Sequence, residues 1–339
     1  MIAPLLVVLV GLATLLLTAA LRRYALSRSL MDVPNARSSH TVPTPRGGGL
    51  AIVFSFLLAL PVLAAYSNLQ WSLAWALLGA GAGVAALGFL DDHGHIAARW
   101  RLLGHFLAAA WLLFWQGGLP PITLAGWALD LDWAGHLLAA VFLVWMLNLY
   151  NFMDGLDGIA SIEAISTCLG GALLYWAIGE PSHTLLPMLL AAAVAGFLYW
   201  NFPPARIFMG DAGSGFLGIM LGGLAIQAAR VEPELLWAWL ILMGVFVVDA
   251  TFTLVRRLLR GDKVYEAHRS HAYQAAARRF GAHRPVILGV LVVNLLCLFP
   301  IALMVALGAL SGLAGLLLAY IPLLLLALYF GAGELEQSS

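Results

Sequence analysis

The chain has 339 residues, of which 62% are hydrophobic and 10% are charged. An ordinary soluble domain carries about 25% charged residues, so this composition excludes a soluble globular protein and indicates a membrane protein. The 17 basic and 17 acidic side chains give a formal net charge of +0, which provides no overall field for nucleic acid or for an acidic partner.

Apolar segments recur along the whole chain. A bilayer core about 30 Å thick requires about 20 predominantly apolar residues per spanning helix. The sequence has eleven such segments, and it therefore predicts an all-α polytopic membrane protein with eleven transmembrane helices in one domain, residues 1–339. The segments are approximately 2–21, 48–66, 71–90, 102–116, 136–150, 159–179, 184–200, 213–229, 235–255, 286–309 and 312–330.

The charges orient these helices. The first segment has no charge before Arg22 and Arg23 and no cleavage site, so we interpret it as a retained helix. If the chain begins outside and crosses eleven times, 16 of its 17 Lys and Arg residues lie in cytoplasmic loops and only Arg230 lies outside. This distribution is the one that the positive-inside rule requires. The longest outer connection, 117–135, is predicted to be a hairpin or loop.

The cytoplasmic loops also collect most of the acids, histidines and glycine turns. Because polar groups near the bilayer are costly, their concentration at one face predicts a functional site there. Five blocks contribute: DVPNARSSHTVPTPRGGG (32–49), FLDDHGHIAARWRLLGH (89–105), NFMDGLDGIA (151–160), NFPPARIFMGDAGSGFLG (201–218) and YEAHRSHAYQ (265–274).

Asp91 and Asp92 close the third helix, and adjacent carboxylates repel unless a cation or strong donors hold them. Their natural partner is Mg²⁺, which takes one or two carboxylates plus substrate phosphate oxygens; a solvated helix end is the alternative. Asp211 lies in MGDAGSG, where small residues allow backbone N–H groups to approach a phosphate. Such a turn alone is weak evidence, since Gly and Asp also fill ordinary turns.

Asn148, Asn151, Asp154 and Asp157 follow one another at a spacing of three. On a helical turn they would share roughly one face, where they could read the imide edge of a base, hold hydroxyl groups or bind a metal. A capped helix break is the alternative reading.

Two histidines, His268 and His271, flank Arg269 in HRSH. A zinc-protease helix needs a spacing of four with Glu between, so we reject zinc and expect anion or sugar-hydroxyl binding, with a solvated loop as the alternative. Asp249 lies inside the ninth segment. It is either functional or paired with Arg256 about two turns away.

In this order, the five blocks resemble the polyprenyl-phosphate N-acetylhexosamine-1-phosphate transferase family over about residues 30–275. The family includes the MraY enzymes of peptidoglycan synthesis and the WecA and WbpL enzymes that start O-antigen and related glycans. The RSSH and HRSH forms look closer to the WbpL and WecA branch, since MraY carries consecutive histidines in its last loop.

The resemblance implies a Mg²⁺-dependent reaction at the cytoplasmic face of the bacterial inner membrane, with the N-terminus periplasmic and the C-terminus cytoplasmic. Mn²⁺ is an alternative ion. A UDP-N-acetylhexosamine (GlcNAc, QuiNAc or FucNAc class) would give its sugar 1-phosphate to undecaprenyl phosphate and release UMP, starting O-antigen or another cell-envelope polysaccharide. Membrane lipids are further partners, and a homodimer is left open.

The family's residue roles are carried over position by position. Asp91 and Asp92 match the catalytic aspartate pair, with Asp92 and Asp211 expected to bind the metal. The nucleotide-binding group is Asn151, Asp154, Asp157 and Phe208, the last stacking on uracil, and the sugar and diphosphate group is His268, Arg269, His271 and Arg46. Asn148 and Asp249 are assigned a structural or functional role. Arg269 and Ser270 inside the histidine motif depart from MraY, so its sugar contacts are not transferred.

A transporter of an anionic or nucleotide-linked substrate is the main rival, since many helices and an intramembrane acid suit one. Clustering of the polar groups at one face, rather than at the midplane, favours the enzyme.

Overall fold

The computed structural model describes residues 2–34, 42–67, 69–94, 96–124, 126–262 and 268–334. The RSSH sequence lies in 35–41, outside the described residues, and so do residues 263–267 just before His268. Within the described ranges the chain is mostly helical, with two short antiparallel hairpins.

Fourteen α-helices follow one another: α1 Ile2–Ser27, α2 Leu50–Tyr66, α3 Trp71–His93, α4 Ala98–Gln116, α5 Asp132–Met153, α6 Ile159–Ala177, α7 Leu185–Asn201, α8 Asp211–Val231, α9 Glu234–Leu242, α10 Gly244–Leu259, α11 Ala272–Phe280, α12 His283–Val293, α13 Phe299–Ala306 and α14 Gly312–Tyr329. A π-helical turn, Asn294–Leu298, joins α12 to α13. The strands are β1 Met31–Asp32, β2 Thr44–Pro45, β3 Ile122–Leu124 and β4 Trp127–Leu129.

The protein is an all-α polytopic membrane protein. In the described part of the chain, eight helical segments are long and apolar enough to cross a membrane. One of them is the continuous run from α12 through the π-helical turn to α13, His283–Ala306. Helices α9 and α10 together form a ninth candidate, bent by 75°. Every predicted segment coincides with a helix or with this bent pair. Because α2 has only 17 residues and α4 begins with Arg99 and Arg101, the count of eleven spans stays a prediction.

Helix α8 lies at the centre of the bundle, where 94% of its most apolar stretch of 18 residues is buried. Its glycines allow neighbouring backbones to come close: a Cβ on Gly218 would lie 2.7 Å from the Cα of Leu147 in α5. A helix that is apolar all round suits either the interior of a bundle or contact with lipid, and α8 occupies the interior. This packing brings Asp211, the first residue of α8, into the middle of one end of the bundle.

Helix α5 is longer than predicted and ends at Met153. Asn148 and Asn151 are therefore helical, whereas Asp154 occupies the C-cap. The shared face of four residues was thus predicted correctly only for the two asparagines. The outer connection forms the expected hairpin, with Thr123 of β3 opposite Ala128 of β4.

Candidate active site at the ends of α3, α5 and α8

A cavity of about 230 Å³ opens between the predicted polar blocks. Seven of the predicted site residues lie at its wall, although they are far apart in sequence. They are Arg46, Asp92, Asn151, Asp154, Asp157, Phe208 and Asp211. We call this space the nucleotide cavity, after the ligand that the resemblance predicts for these residues.

Asp92 sits on the last turn of α3 with only 6% of its side chain exposed. Its Oδ1 lies 3.7 Å from Nη1 of Arg46, and Arg46 also donates to the Asp92 carbonyl. The backbone N–H groups of Asp211 and Ala212 lie near the carboxylate as well. The start of α8 and Arg46 therefore hold Asp92 at the cavity wall.

The glycine run after Arg46 packs against the FMGD sequence. Gly48 N–H donates to the Phe208 carbonyl and Gly49 N–H to the Met209 carbonyl, both at 2.9 Å. A Cβ on Gly49 would lie 2.9 Å from the Met209 carbonyl oxygen, so a larger residue would separate the two segments. This pairing places Arg46 and Phe208 at the same cavity.

Asn151 fixes the orientation of Asp211. Its Nδ2 donates to Oδ1 of Asp211 and to Oγ of Ser214, each at 3.0 Å. An amide donor on a ligand carboxylate is a common way to hold the remaining oxygen toward a cation or a substrate. The structure thus gives Asn151 a positioning contact in addition to its place at the cavity wall.

Asp154 and Asp157 have different environments. The structure gives the Asp154 carboxylate no hydrogen bond from the described residues. Burial, followed by the negative charges of Asp211, Asp157 and Asp92, raises the pKa of Asp154 well above its ordinary value. In contrast, Asp157 accepts a hydrogen bond from Ala205 N–H at 3.0 Å and lies 3.4 Å from His283 Nδ1. The Asp154 carboxyl group is therefore available to a ligand, whereas Asp157 connects its own loop to Ala205 and His283.

Asp91 faces a second cavity of about 220 Å³ between α3, α4 and α5. It pairs with Arg101 and accepts a hydrogen bond from Ile96 N–H at 2.9 Å. Asp211 and Asn151 line both cavities, so they form the wall between them. We call this second space the acceptor cavity, after the lipid phosphate that is the expected acceptor. Its other polar residues are His105 and Asn148, and its remaining walls are mostly apolar.

The HRSH residues do not line the nucleotide cavity. His271 is 3% exposed, with its Nδ1 3.3 Å from Asp249 Oδ1, and its ring stacks on His268 with centroids 4.9 Å apart. Arg269 accepts a hydrogen bond from Arg278 through its carbonyl. His268, Arg269 and His271 are therefore not among the residues that line the nucleotide cavity.

Asp249 anchors the start of α11. Its Oδ1 accepts from Ala272 N–H and its Oδ2 from Tyr273 N–H, each at 3.0 Å. The alternative pairing of Asp249 with Arg256 is wrong, because Arg256 instead contacts Glu334 at 3.2 Å. The intramembrane acid that favoured a transporter has a helix-anchoring role.

Several cavity residues were not found from the sequence. Gln274 and His283 line the nucleotide cavity together with Asp32, and Arg101 and His105 line the acceptor cavity. Gln274 belongs to the YEAHRSHAYQ block, but a lone uncharged amide carries no signal of its own. Only the folded chain brings it beside residue 155.

The oxygen groups of the nucleotide cavity suit a hard divalent ion. Within the described residues there is no group of three or more His, Cys, Asp or Glu side chains arranged to hold a metal. Mg²⁺ commonly uses only one or two carboxylates and completes its shell with water and substrate phosphates. Asp92 and Asp211, which line one cavity, fit that requirement.

Comparison with known proteins identifies relatives of this chain. Residues 74–229 match the family model described as glycosyl transferase family 4. The chain is 31% identical over 320 residues to a decaprenyl-phosphate N-acetylglucosaminephosphotransferase of Mycobacterium tuberculosis, covering 83% of this chain and 78% of that protein. It is 28% identical over 288 residues to a probable undecaprenyl-phosphate N-acetylglucosaminyl 1-phosphate transferase of Bacillus subtilis, covering 82% and 78%.

A third relative is a phospho-N-acetylmuramoyl-pentapeptide-transferase of Moorella thermoacetica, 34% identical over 230 residues that cover 63% of this chain and 69% of that protein. The similarity spans most of the helices that build the two cavities. The chain therefore belongs to the polyprenyl-phosphate N-acetylhexosamine-1-phosphate transferase family.

Proposed function

We propose that the protein transfers N-acetylhexosamine 1-phosphate from a UDP-N-acetylhexosamine to undecaprenyl phosphate, giving the lipid diphosphate sugar and UMP. The observation that carries this proposal is the pair of cavities that meet at Asp211 and Asn151. A transfer between two substrates requires two binding spaces with one shared reacting position, and this wall supplies it.

The nucleotide-sugar would occupy the nucleotide cavity. Phe208 offers an aromatic face to the base, and Asn151 and Asp154 offer an amide and a carboxylate. The diphosphate would lie toward Asp92 and Arg46, where Arg46 is partly exposed and can reach an anion. The adjoining space near Arg284 and Pro204, which shares Phe208 and His283 with this cavity, leaves room for the rest of a nucleotide-sugar.

The lipid phosphate would enter the acceptor cavity. Arg101 is the cation there, and Asp91 holds its guanidinium from one side. Both Asp91 oxygens already take part in contacts within the chain, to Arg101 and to Ile96 N–H. This favours Asp91 as a positioning group over Asp91 as a covalent nucleophile.

The chain needs no strong base for this reaction. The second pKa of a phosphomonoester is about 6, so the attacking phosphate oxygen is mostly unprotonated near pH 7. An ordinary aspartate, with a pKa of about 3.9, would remove a proton from it poorly. The task of the residues is to bring two anions together on opposite sides of the reacting phosphorus, which is the usual demand of phosphoryl transfer.

Mg²⁺, or Mn²⁺ in its place, would be held by Asp92 and Asp211 and would neutralise charge on the diphosphate. Asn151 would keep Asp211 in position through its 3.0 Å hydrogen bond. Arg46 and Arg101 would supply further positive charge, one from each cavity.

We further propose that the site faces the cytoplasm of a bacterial inner membrane, with the N-terminus outside, and that the product starts an O-antigen or another envelope polysaccharide. The basic residues support this orientation, since the sequence has nearly all of them in the loops that also carry the candidate site residues. The HRSH form supports the O-antigen branch.

The test is UMP release by purified protein in detergent with undecaprenyl phosphate, Mg²⁺ and a panel of UDP-GlcNAc, UDP-GalNAc, UDP-QuiNAc and UDP-FucNAc. We expect release that requires both lipid and metal, that is lost in Asp92→Asn and that is retained in Glu180→Gln, whose side chain is 51% exposed. No release with any UDP-sugar, together with saturable flux into proteoliposomes, would instead support the transporter.

A further inference from the structure

Gln274 lies at the wall of the nucleotide cavity, on the first turn of α11. The residue is only 7% exposed. Its Oε1 accepts a long hydrogen bond of 3.4 Å from His271 N–H. The structure gives its Nε2 no hydrogen-bond acceptor from the described residues, so a nearly buried amide donor is left for a ligand.

The position of Gln274 is set by contacts on both sides of its helix turn. Asp249 holds the N–H groups of Ala272 and Tyr273 from α10. Tyr273 donates its hydroxyl to the Phe152 carbonyl at 3.0 Å. These bonds fasten α11 to the end of α5, just before Asp154.

The close approach also depends on Gly155. A Cβ at this position would collide with the Tyr273 hydroxyl and would lie 3.2 Å from Gln274 Nε2. Gln274 therefore sits beside the residue that follows Asp154, and Gln274 and Asp154 line the same cavity. In either protonation state a carboxyl group keeps an oxygen that accepts a hydrogen bond.

We infer that Gln274 and Asp154 together read the imide edge of the uracil base. Gln274 Nε2 donates to the O4 carbonyl, and Asp154 accepts from the adjacent N3–H. Phe208 at the same cavity provides an aromatic face for a flat ring. A phosphate fits beside Asp154 less well, because a dianionic phosphate has no hydrogen to donate to the carboxyl oxygen.

Cytosine presents the opposite pattern at the same two positions, an amino donor and a ring-nitrogen acceptor. A site built on a donor and an acceptor rejects a ligand that reverses them, because two buried groups lose their partners. Gln274 is thereby a specificity-determining residue for uridine over cytidine nucleotides. This inference rests on the proposed function and deepens it.

The experiment measures binding of UMP and CMP to purified full-length protein in detergent by isothermal titration calorimetry, with Mg²⁺ present. The variants are Gln274→Glu, which replaces the amide donor by acceptor oxygens, and Gln274→Met, which removes the hydrogen bond at similar size. Gln227→Glu is the matched control, because Gln227 lies in α8 at a different cavity. Size-exclusion profiles check folding.

We expect Gln274→Met to weaken UMP binding about 10-fold, the effect of one lost hydrogen bond of about 1.4 kcal/mol. Gln274→Glu should lower the ratio of UMP to CMP affinity about 10-fold or more, while Gln227→Glu keeps the wild-type ratio. If Gln274→Glu does not fold, the loss in Gln274→Met alone supports the inference.

An unchanged UMP affinity in Gln274→Met would overturn the inference and leave the proposed function intact. A changed preference between UDP-N-acetylhexosamine and UDP-hexose, without any change between UMP and CMP, would also overturn it by placing Gln274 at the sugar. Wild-type protein that neither binds UMP nor releases it from a UDP-sugar would overturn the proposed function as well.

Discussion

Asp91 and Asp92 are neighbours in the chain, yet their carboxylates face different cavities. Asp92 is held by Arg46 and the start of α8, whereas Asp91 pairs with Arg101 of α4. Successive residues of a helix point about 100° apart, so one helix end can serve two spaces. The two carboxylates therefore line separate cavities.

This separation predicts two different kinetic defects. Asp91→Asn should raise KM for undecaprenyl phosphate about 10-fold, because Arg101 loses the charge that orients it. Asp92→Asn should lower kcat by roughly 100-fold or more, because it removes an oxygen group from the reacting position. Initial rates with each substrate varied in turn distinguish the two; identical defects in both variants would contradict separate roles.

The hydrogen bond from Asn151 to Asp211 predicts a change in metal dependence. Asn151→Leu should raise the Mg²⁺ concentration for half-maximal activity about 10-fold or more, since Asp211 loses the donor that orients it. Ser214→Ala should have a smaller effect, because it leaves this bond in place. Mg²⁺ titrations of UMP release provide the measurement, and equal half-maximal concentrations in Asn151→Leu and wild type would disprove the positioning role.

The anchoring of α11 predicts a local loss of order in Asp249→Asn. An amide keeps one acceptor oxygen but turns an N–H group toward a backbone donor, which should cost about 1–3 kcal/mol. Hydrogen–deuterium exchange followed by mass spectrometry should show faster exchange in the peptide that covers α11. Thr253→Val, which removes the hydroxyl that donates to Asp249 at 3.1 Å, is the milder control. Unchanged exchange in α11 would show that Asp249 does not hold it.

The raised pKa of Asp154 predicts a gain of stability on substitution. A carboxyl group whose pKa is higher in the folded chain than in the unfolded chain destabilises the fold once the pH exceeds the unfolded value, here the ordinary 3.8. Asp154→Asn should therefore melt at a higher temperature than wild type without ligand. The difference should grow as the pH rises from about 4 through the raised pKa and then level off.

The same variant should bind UMP more weakly, because the carboxylate facing the ligand is lost. Thermal unfolding in detergent across a pH series, with and without UMP, measures both effects. Glu180→Gln is the control for removing an exposed carboxylate, with no expected change in either. A lower melting temperature for ligand-free Asp154→Asn at neutral pH would contradict the destabilising role of that buried charge.

The sequence alone determined the membrane fold and pointed to most of the candidate site residues. Long apolar segments leave a helix as the only spanning structure, because every backbone polar group in lipid must be paired within its own segment. Polar groups are costly near the bilayer, so Asp92, Asn151 and Asp211 stood out against their apolar surroundings. These signals are local, and one chain is enough to show them.

The tertiary structure alone decided which side chains share a space. Packing of α8 against α3 and α5 separated Asp91 from Asp92 and placed Asp211 in the wall between two cavities. Packing of α11 against α10 buried His271 against Asp249, so Gln274 rather than His271 lies at the nucleotide cavity. Such outcomes depend on contacts between residues more than 20 positions apart, and no local pattern of charge or hydropathy records them.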